Sequence, residues 1–216
     1  MIDSAQKLVT QREIFSLVQI DARYDLPSAV LHLNFPDGKL VTDKIILGEK
    51  VNTLFWGRTV PGNIVIGPFN EALSDFCGTD VRLVSSTYSG QCQDEYPISI
   101  LSKSSLLMPL DLPKTVNPVD ARRFRPTFLL SGSSAHEEDE WLGRSIQIGD
   151  SLQLMLTSRD PRCAITTHNP VTGSPDLDIL RLILEYRPDH RPYFGVYGEV
   201  VHPGIVSLGD VVIITG

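Results

Sequence analysis

Turn signals recur along this chain too often to leave room for long helices. Pro-Asp-Gly stands at 36–38, Pro-Gly-Asn at 61–63, Ser-Gly at 89–90, Ser-Gly-Ser-Ser at 131–134, Gly-Asp at 149–150, Pro-Gly at 203–204 and Gly-Asp at 209–210. Between them lie short runs rich in β-branched and apolar residues, the pattern of strands closing into a barrel or sandwich. The strongest strand candidates are SLVQIDAR (16–23), AVLHLNF (29–35), VRLVS (81–85) and TFLLSG (127–132), followed by RSIQIGD (144–150), SLQLMLTS (151–158), FGVYGEVV (194–201) and DVVIIT (210–215).

Two segments carry helical spacing instead. In NEALSDFC (70–77), Ala72, Leu73, Phe76 and Cys77 share a face; in DLDILRLILEYR (176–187), Leu177, Leu180, Ile183 and Leu184 do the same. Pro175 and acidic residues open the second, and Arg187 with Pro188 closes it. Both faces read as core packing. Strands outnumber helices and do not alternate with them, which excludes a doubly wound sheet. The expected class is mainly β: a barrel with a few covering helices.

The three cysteines, Cys77, Cys92 and Cys163, form an odd set without CxxC spacing. That argues against a disulfide framework, a structural zinc site or an iron–sulfur cluster, and it suits a reducing cytoplasm. A chain of 216 residues buries a sizeable core without such staples. No apolar run approaches the roughly 20 residues of a membrane helix, so no membrane association is expected. A net charge of −7 repels nucleic acid. The one basic cluster, Arg122, Arg123 and Arg125, is too short for a phosphate-backbone track and is sized for a single anionic ligand.

Chemistry concentrates in few places. SGSSA (131–135) lacks the second glycine of a nucleophile elbow, and the five histidines have no triad order, so a serine hydrolase is excluded. The acidic run HEEDEW (136–141) is expected to be solvated or to pack over the arginines, with Trp141 opening the next strand. Cys163, in RDPRCAITTHNPVTG (159–173), could fill a sheet, form half a disulfide, act as a nucleophile or ligate a soft metal. A zinc site on Cys163 and His168 lacks further ligands, and His168 reads as a loop residue.

Four motifs in order, VDARRFRP (119–126), EEDEWLGRSIQIGD (137–150), RDPRCAITTHNPVTG (159–173) and FGVYGEVVHPGIVSLGD (194–210), resemble the MOSC domain of molybdenum-cofactor sulfurases and amidoxime-reducing enzymes. The resemblance implies a MOSC domain over 91–216. It also implies a partial N-terminal β domain over 1–90, in which VTQREIFSLVQIDA (9–22) matches the later strands and the family's upstream Lys-Ser motif has no counterpart. By the same resemblance Cys163 is the catalytic thiolate and the molybdenum ligand. Arg162 would favour that thiolate and reach the pterin phosphate, Arg12 and Arg125 would hold the pterin or its phosphate, and Asp94, Glu95 and Tyr96 would form a pterin-contacting segment. Tyr197 would contact the cofactor from a late strand, and Thr127 stands where the family commonly has asparagine.

The activity so implied is a molybdenum-cofactor (molybdopterin) oxidoreductase that reduces N-hydroxylated substrates, with electrons from a separate reductase or ferredoxin-like protein. The alternatives are a sulfur or cofactor carrier using a Cys163 persulfide, with pyridoxal phosphate only in a partner desulfurase, and a binding module without catalysis. Sheet edges left open by a truncated first domain lead to the expectation of a homodimer or a partner protein along that edge.

Overall fold

The computed structural model describes residues 1–88, 90–107 and 118–216. The expected Ser-Gly turn at 89–90 therefore has its serine outside the described residues. The chain divides into two compact units, one of Met1–Gln93 with His168–Pro175 and one of Asp94–Thr167 with Asp176–Gly216.

The first unit runs β1 (Ile2–Asp3), β2 (Asp21–Asp25), β3 (Val30–Asn34), β4 (Leu40–Lys44), β5 (Ile46–Phe55), β6 (Arg58–Ile66), α1 (Phe69–Cys77), β7 (Val81–Arg82) and β8 (Val84–Ser86). Its sheets are small and antiparallel: β2-β3-β4, β5-β6-β8 and the pair β1-β7. Helix α1 buries Phe69, Ala72 and Leu73, with Phe76 and Cys77 packed beside them, as its spacing predicts. The segment His168–Pro175 joins this unit by stacking His168 on Phe15, with ring centroids 3.8 Å apart.

Two expectations fail here for identifiable reasons. Residues 15–19, expected as strand, form a 3-10 helix, and β2 starts only at Asp21. Pro61-Gly62-Asn63, expected as a turn, lies inside β6. A Cβ on Gly62 would stand 2.6 Å from Ser85 O, so glycine is there to let β8 approach, while Pro61 still accepts from Thr87 N through its carbonyl. The real turn of that hairpin is Trp56-Gly57, both at positive φ, the pair of conformations that matches strand twist in a two-residue loop.

The second unit carries β9 (Ile98–Ser102), β10 (Phe128–Leu130), β11 (Ser145–Ile148), β12 (Leu152–Pro161), α2 (Ile179–Tyr186), β13 (Tyr193–His202) and β14 (Val212–Thr215). They form one sheet in the order β10-β9-β13-β12-β11-β14, antiparallel except for the parallel β9–β10 pair, and it curls into a half-barrel. Register shifts between β12 and β13 supply the bending. The fold is thus mainly β, as expected, with two α-helices among the described residues.

One face of this sheet buries Ile100, Ile146, Leu154, Leu156 and Val196; the other packs Leu101, Phe124 and Phe194 on α2. Strand alternation would put Phe194 and Val196 on the same face. Gly195, at φ 87°, breaks the phase and sends them to opposite clusters. Helix α2 is capped by Asp178, whose side chain accepts from Arg181 N. Its buried residues are Ile179 and Ile183 rather than the expected Leu180 and Leu184, which are only half-buried.

Candidate functional site

Strand β12 ends in Asp160-Pro161, and the chain then passes through Arg162 and Cys163 into a 3-10 turn over Ala164–Thr167. Cys163 is a free, half-buried thiol. Its carbonyl accepts from both the backbone N–H (3.2 Å) and the hydroxyl (3.0 Å) of Thr166, which fixes the turn beneath it.

Arg162 is anchored on every side. Its Nε donates to Phe194 O and one Nη to Phe124 O, each at 2.8 Å, its backbone N–H donates to Pro192 O at 2.6 Å, and the guanidinium carbon lies 5.5 Å from the centroid of the Phe124 ring. The other Nη stands 2.7 Å from Asp160 Oδ2, and the two side chains are only 8% and 2% exposed. This contact is an ion pair rather than an angularly good hydrogen bond. Burial works against both charges. It pushes the Asp160 carboxyl up to about 6 although Arg162 and a Tyr197 hydrogen bond pull it down, and it pulls the Arg162 guanidinium below its ordinary value.

Tyr197 lies on β13 between Ser158 of β12 and Ser99 of β9. Its ring centroid is 5.7 Å from that of Tyr96, and burial together with the Asp160 charge and hydrogen bond pushes its hydroxyl above the ordinary tyrosine value. Thr127 is joined to the same strand: Ser99 N donates to its Oγ1 at 3.1 Å, and its own N–H donates to Ser99 Oγ at 3.0 Å. Asp94 and Glu95 are near enough to act on Asp160 as like charges.

The contacts therefore join Tyr96 to Tyr197, and Thr127 to Ser99 opposite Tyr197, while Arg162, paired with Asp160, precedes Cys163 just beyond the end of β12. Arg125 follows Phe124 directly and is exposed, with φ 49° before a proline, an unusual backbone for an arginine. The other two arginines of that cluster are structural. Arg122 pairs with Asp120, and Arg123, buried, pairs with Asp176 at 2.6 Å. Arg12 belongs to the first unit, where its guanidinium lies 4.2 Å over the Trp56 ring.

Sequence reasoning missed Asp160. It falls on the even-numbered phase of Leu152, Leu154 and Leu156, which all point to the core, and an acid on that phase was the available signal. The acidic run also departs from expectation. Glu138 is fully buried and not solvated, its Oε1 accepting from Ser105 Oγ (2.8 Å) and Ser102 N (3.3 Å). Asp139 pairs with Arg187 and not with the 122–125 cluster, and Trp141 closes a buried 3-10 turn instead of opening a strand.

The family model described as "MOSC domain" matches residues 87–213, more than half of the chain. The chain is 33% identical over 134 residues to human "Mitochondrial amidoxime-reducing component 1", covering 57% of this chain and 38% of that protein. It is 27% identical over 234 residues to bovine "Mitochondrial amidoxime reducing component 2", covering 94% of this chain and 68% of that protein. To the rat component 2 it is 34% identical over 125 residues, 53% of this chain and 35% of that protein. The match thus spans under two fifths of the human relative's length.

Proposed function

The chain belongs to the MOSC domain family, and from that premise we propose that it is a molybdenum-cofactor oxidoreductase that reduces N-hydroxylated compounds. The observation that carries the reading is the setting of Cys163, a half-buried thiol held on a fixed turn behind a buried Asp160–Arg162 pair. A thiolate is a soft ligand suited to a sulfur-rich molybdenum site. Among the described residues no group of three or more His, Cys, Asp or Glu is placed to hold a metal ion. A metal taken by Cys163 would therefore bring its other ligands with it, as a pterin-bound metal does.

The residues fit such a group. Cys163 would ligate the metal, Arg125 would meet the anionic part of the pterin with its guanidinium fork, and Tyr96, Thr127 and Tyr197 would line the pterin. Asp94 and Glu95 would face its polar edge. Arg162, whose donors go to Asp160 and two carbonyls, would lend positive charge and hold the turn rather than reach a phosphate. When bound, the cofactor supplies the two-electron oxygen-abstracting chemistry. The balance is one N–OH compound, two electrons and two protons giving the N–H compound and water, with a separate electron-transfer protein as donor.

The test is expression in a host that makes the cofactor, followed by molybdenum and pterin content and reduction of an aryl amidoxime by reduced viologen. Wild type should carry about one molybdenum per chain and turn over, and Cys163→Ser should lose both metal and activity while folding normally. A wild-type protein without molybdenum, or a Cys163→Ser variant that keeps it, overturns the reading.

A further inference from the structure

Arg123 ties the turn that follows Cys163 to two other stretches of the second unit. Its side chain is only 4% exposed, and it leaves the short 3-10 turn Ala121–Arg123 two residues before Arg125. One Nη donates to Thr166 O at 3.3 Å, and the other meets Asp176 Oδ2 at 2.6 Å. Thr166, itself buried, donates to Cys163 O from both its N–H and its hydroxyl. Asp176 brings the chain back to the same turn, its N–H donating to Thr167 O at 3.2 Å. The guanidinium thus grips the Ala164–Thr167 turn near its end, together with the residue at which the chain returns to it.

A 3-10 turn this short is weakly held by its own hydrogen bonds. An apolar side chain at 123 would fill the same buried space without desolvating a guanidinium, but it could not satisfy two acceptors on different stretches of chain. We propose that Arg123 is a positioning residue for Cys163, acting through Thr166 to keep the thiol in one direction. The proposal rests on the molybdenum reading only for its consequence at the metal.

The experiment uses cofactor-free full-length protein and follows iodoacetamide alkylation of Cys163 by peptide mass spectrometry, which separates it from Cys77 and Cys92. Arg123→Ala should let the turn open locally and raise the Cys163 rate by about fivefold or more. The rise should be nearly flat in low urea, because a local opening exposes little surface, whereas alkylation through global unfolding climbs steeply. Thr166→Val removes the hydroxyl bond to Cys163 O and should also raise the rate, and Thr166→Ser should stay near wild type. In the double variant Arg123→Ala with Thr166→Val the two increases should not multiply, since both act on one turn. A Cys163 rate in Arg123→Ala within about twofold of wild type, or one that follows global unfolding in urea, overturns the proposal. Should Arg123→Ala fail to fold, Arg123→Lys decides by the same criterion, because an ammonium keeps the charge but cannot serve both acceptors in the same fork.

In molybdenum-loaded protein, Arg123→Ala should lose its metal to a competing dithiol about fivefold faster than wild type or more, and equal loss overturns the proposal. Absence of molybdenum from wild type would defeat the reductase reading alone, since the alkylation is measured without cofactor.

Discussion

Replacing Arg162 by methionine keeps much of the side-chain volume but leaves Asp160 buried without its cation and strips the donor from Phe194 O and Phe124 O. Removing one partner of a buried pair costs about 3–5 kcal/mol because the other charge stays uncompensated. For a chain of this size that corresponds to a fall in Tm of roughly 6–20 °C. The cost must depend on pH. The folded Asp160 carboxyl is raised to about 6 from an unfolded value of about 3.9. Its favourable contribution is therefore complete below the unfolded value and is lost as pH rises through about 6.

Without Arg162 the carboxyl rises further, and each added unit costs about 1.4 kcal/mol once both proteins are ionised. The charge share of the penalty should thus be nearly absent at pH 5, where Asp160 is protonated in both, and grow by up to about 1.4 kcal/mol per pH unit above about 6, reaching at most about 3 kcal/mol at pH 8, on top of the loss at the two carbonyls. Denaturant melts of wild type and Arg162→Met at the two pH values measure this directly. A penalty below about 1 kcal/mol at pH 8, or one equal at both pH values, would falsify the ion-pair account.

Gly195→Ala should cost about 2–4 kcal/mol, since its φ is 87° and the new Cβ would stand 2.6 Å from Ile100 O; a melt within 0.5 kcal/mol of wild type would show that β9 gives way freely. Arg123→Ala breaks the 2.6 Å pair with half-exposed Asp176 and a bond to Thr166 O, for an expected loss of about 1–3 kcal/mol. Arg123→Lys should recover less than half of it, because an ammonium cannot serve both partners in the same fork; full recovery in urea melts would contradict the geometry. His136 is held down to about 4 by burial and by nearby Arg187, so its contribution is complete above its unfolded value of about 6.5 and lost as pH falls toward about 4. His136→Gln should flatten the stability curve over that interval, and a curve parallel to wild type would remove His136 as the cause.

What the sequence determines by itself is local or periodic. Turn residues and period-2 runs place β3 and β10 to β14, and the spacing of Ala72, Leu73, Phe76 and Cys77 gives α1 its buried face. The motif order marks the stretch that carries Cys163, Arg162 and Tyr197. Strands β4, β5 and β6 carry no such signal, because sheets with a solvated face admit Lys, Glu, Asn and even Pro61 and Gly62 along a strand. Burial of charge was equally invisible. Whether Arg122, Arg123 or Arg162 is solvent-facing or buried depends on partners from 2 to 53 residues away, Asp120, Asp176 and Asp160. Glu138, expected to be solvated, is buried only because Ser102 and Ser105 fold onto its carboxylate, and Asp160, whose core-facing phase could be read from the sequence, takes its cation from Arg162 only in the folded chain. Composition fixes how many charges a chain has, but only the closing of the sheet decides which lose their water and which neighbour must compensate the loss.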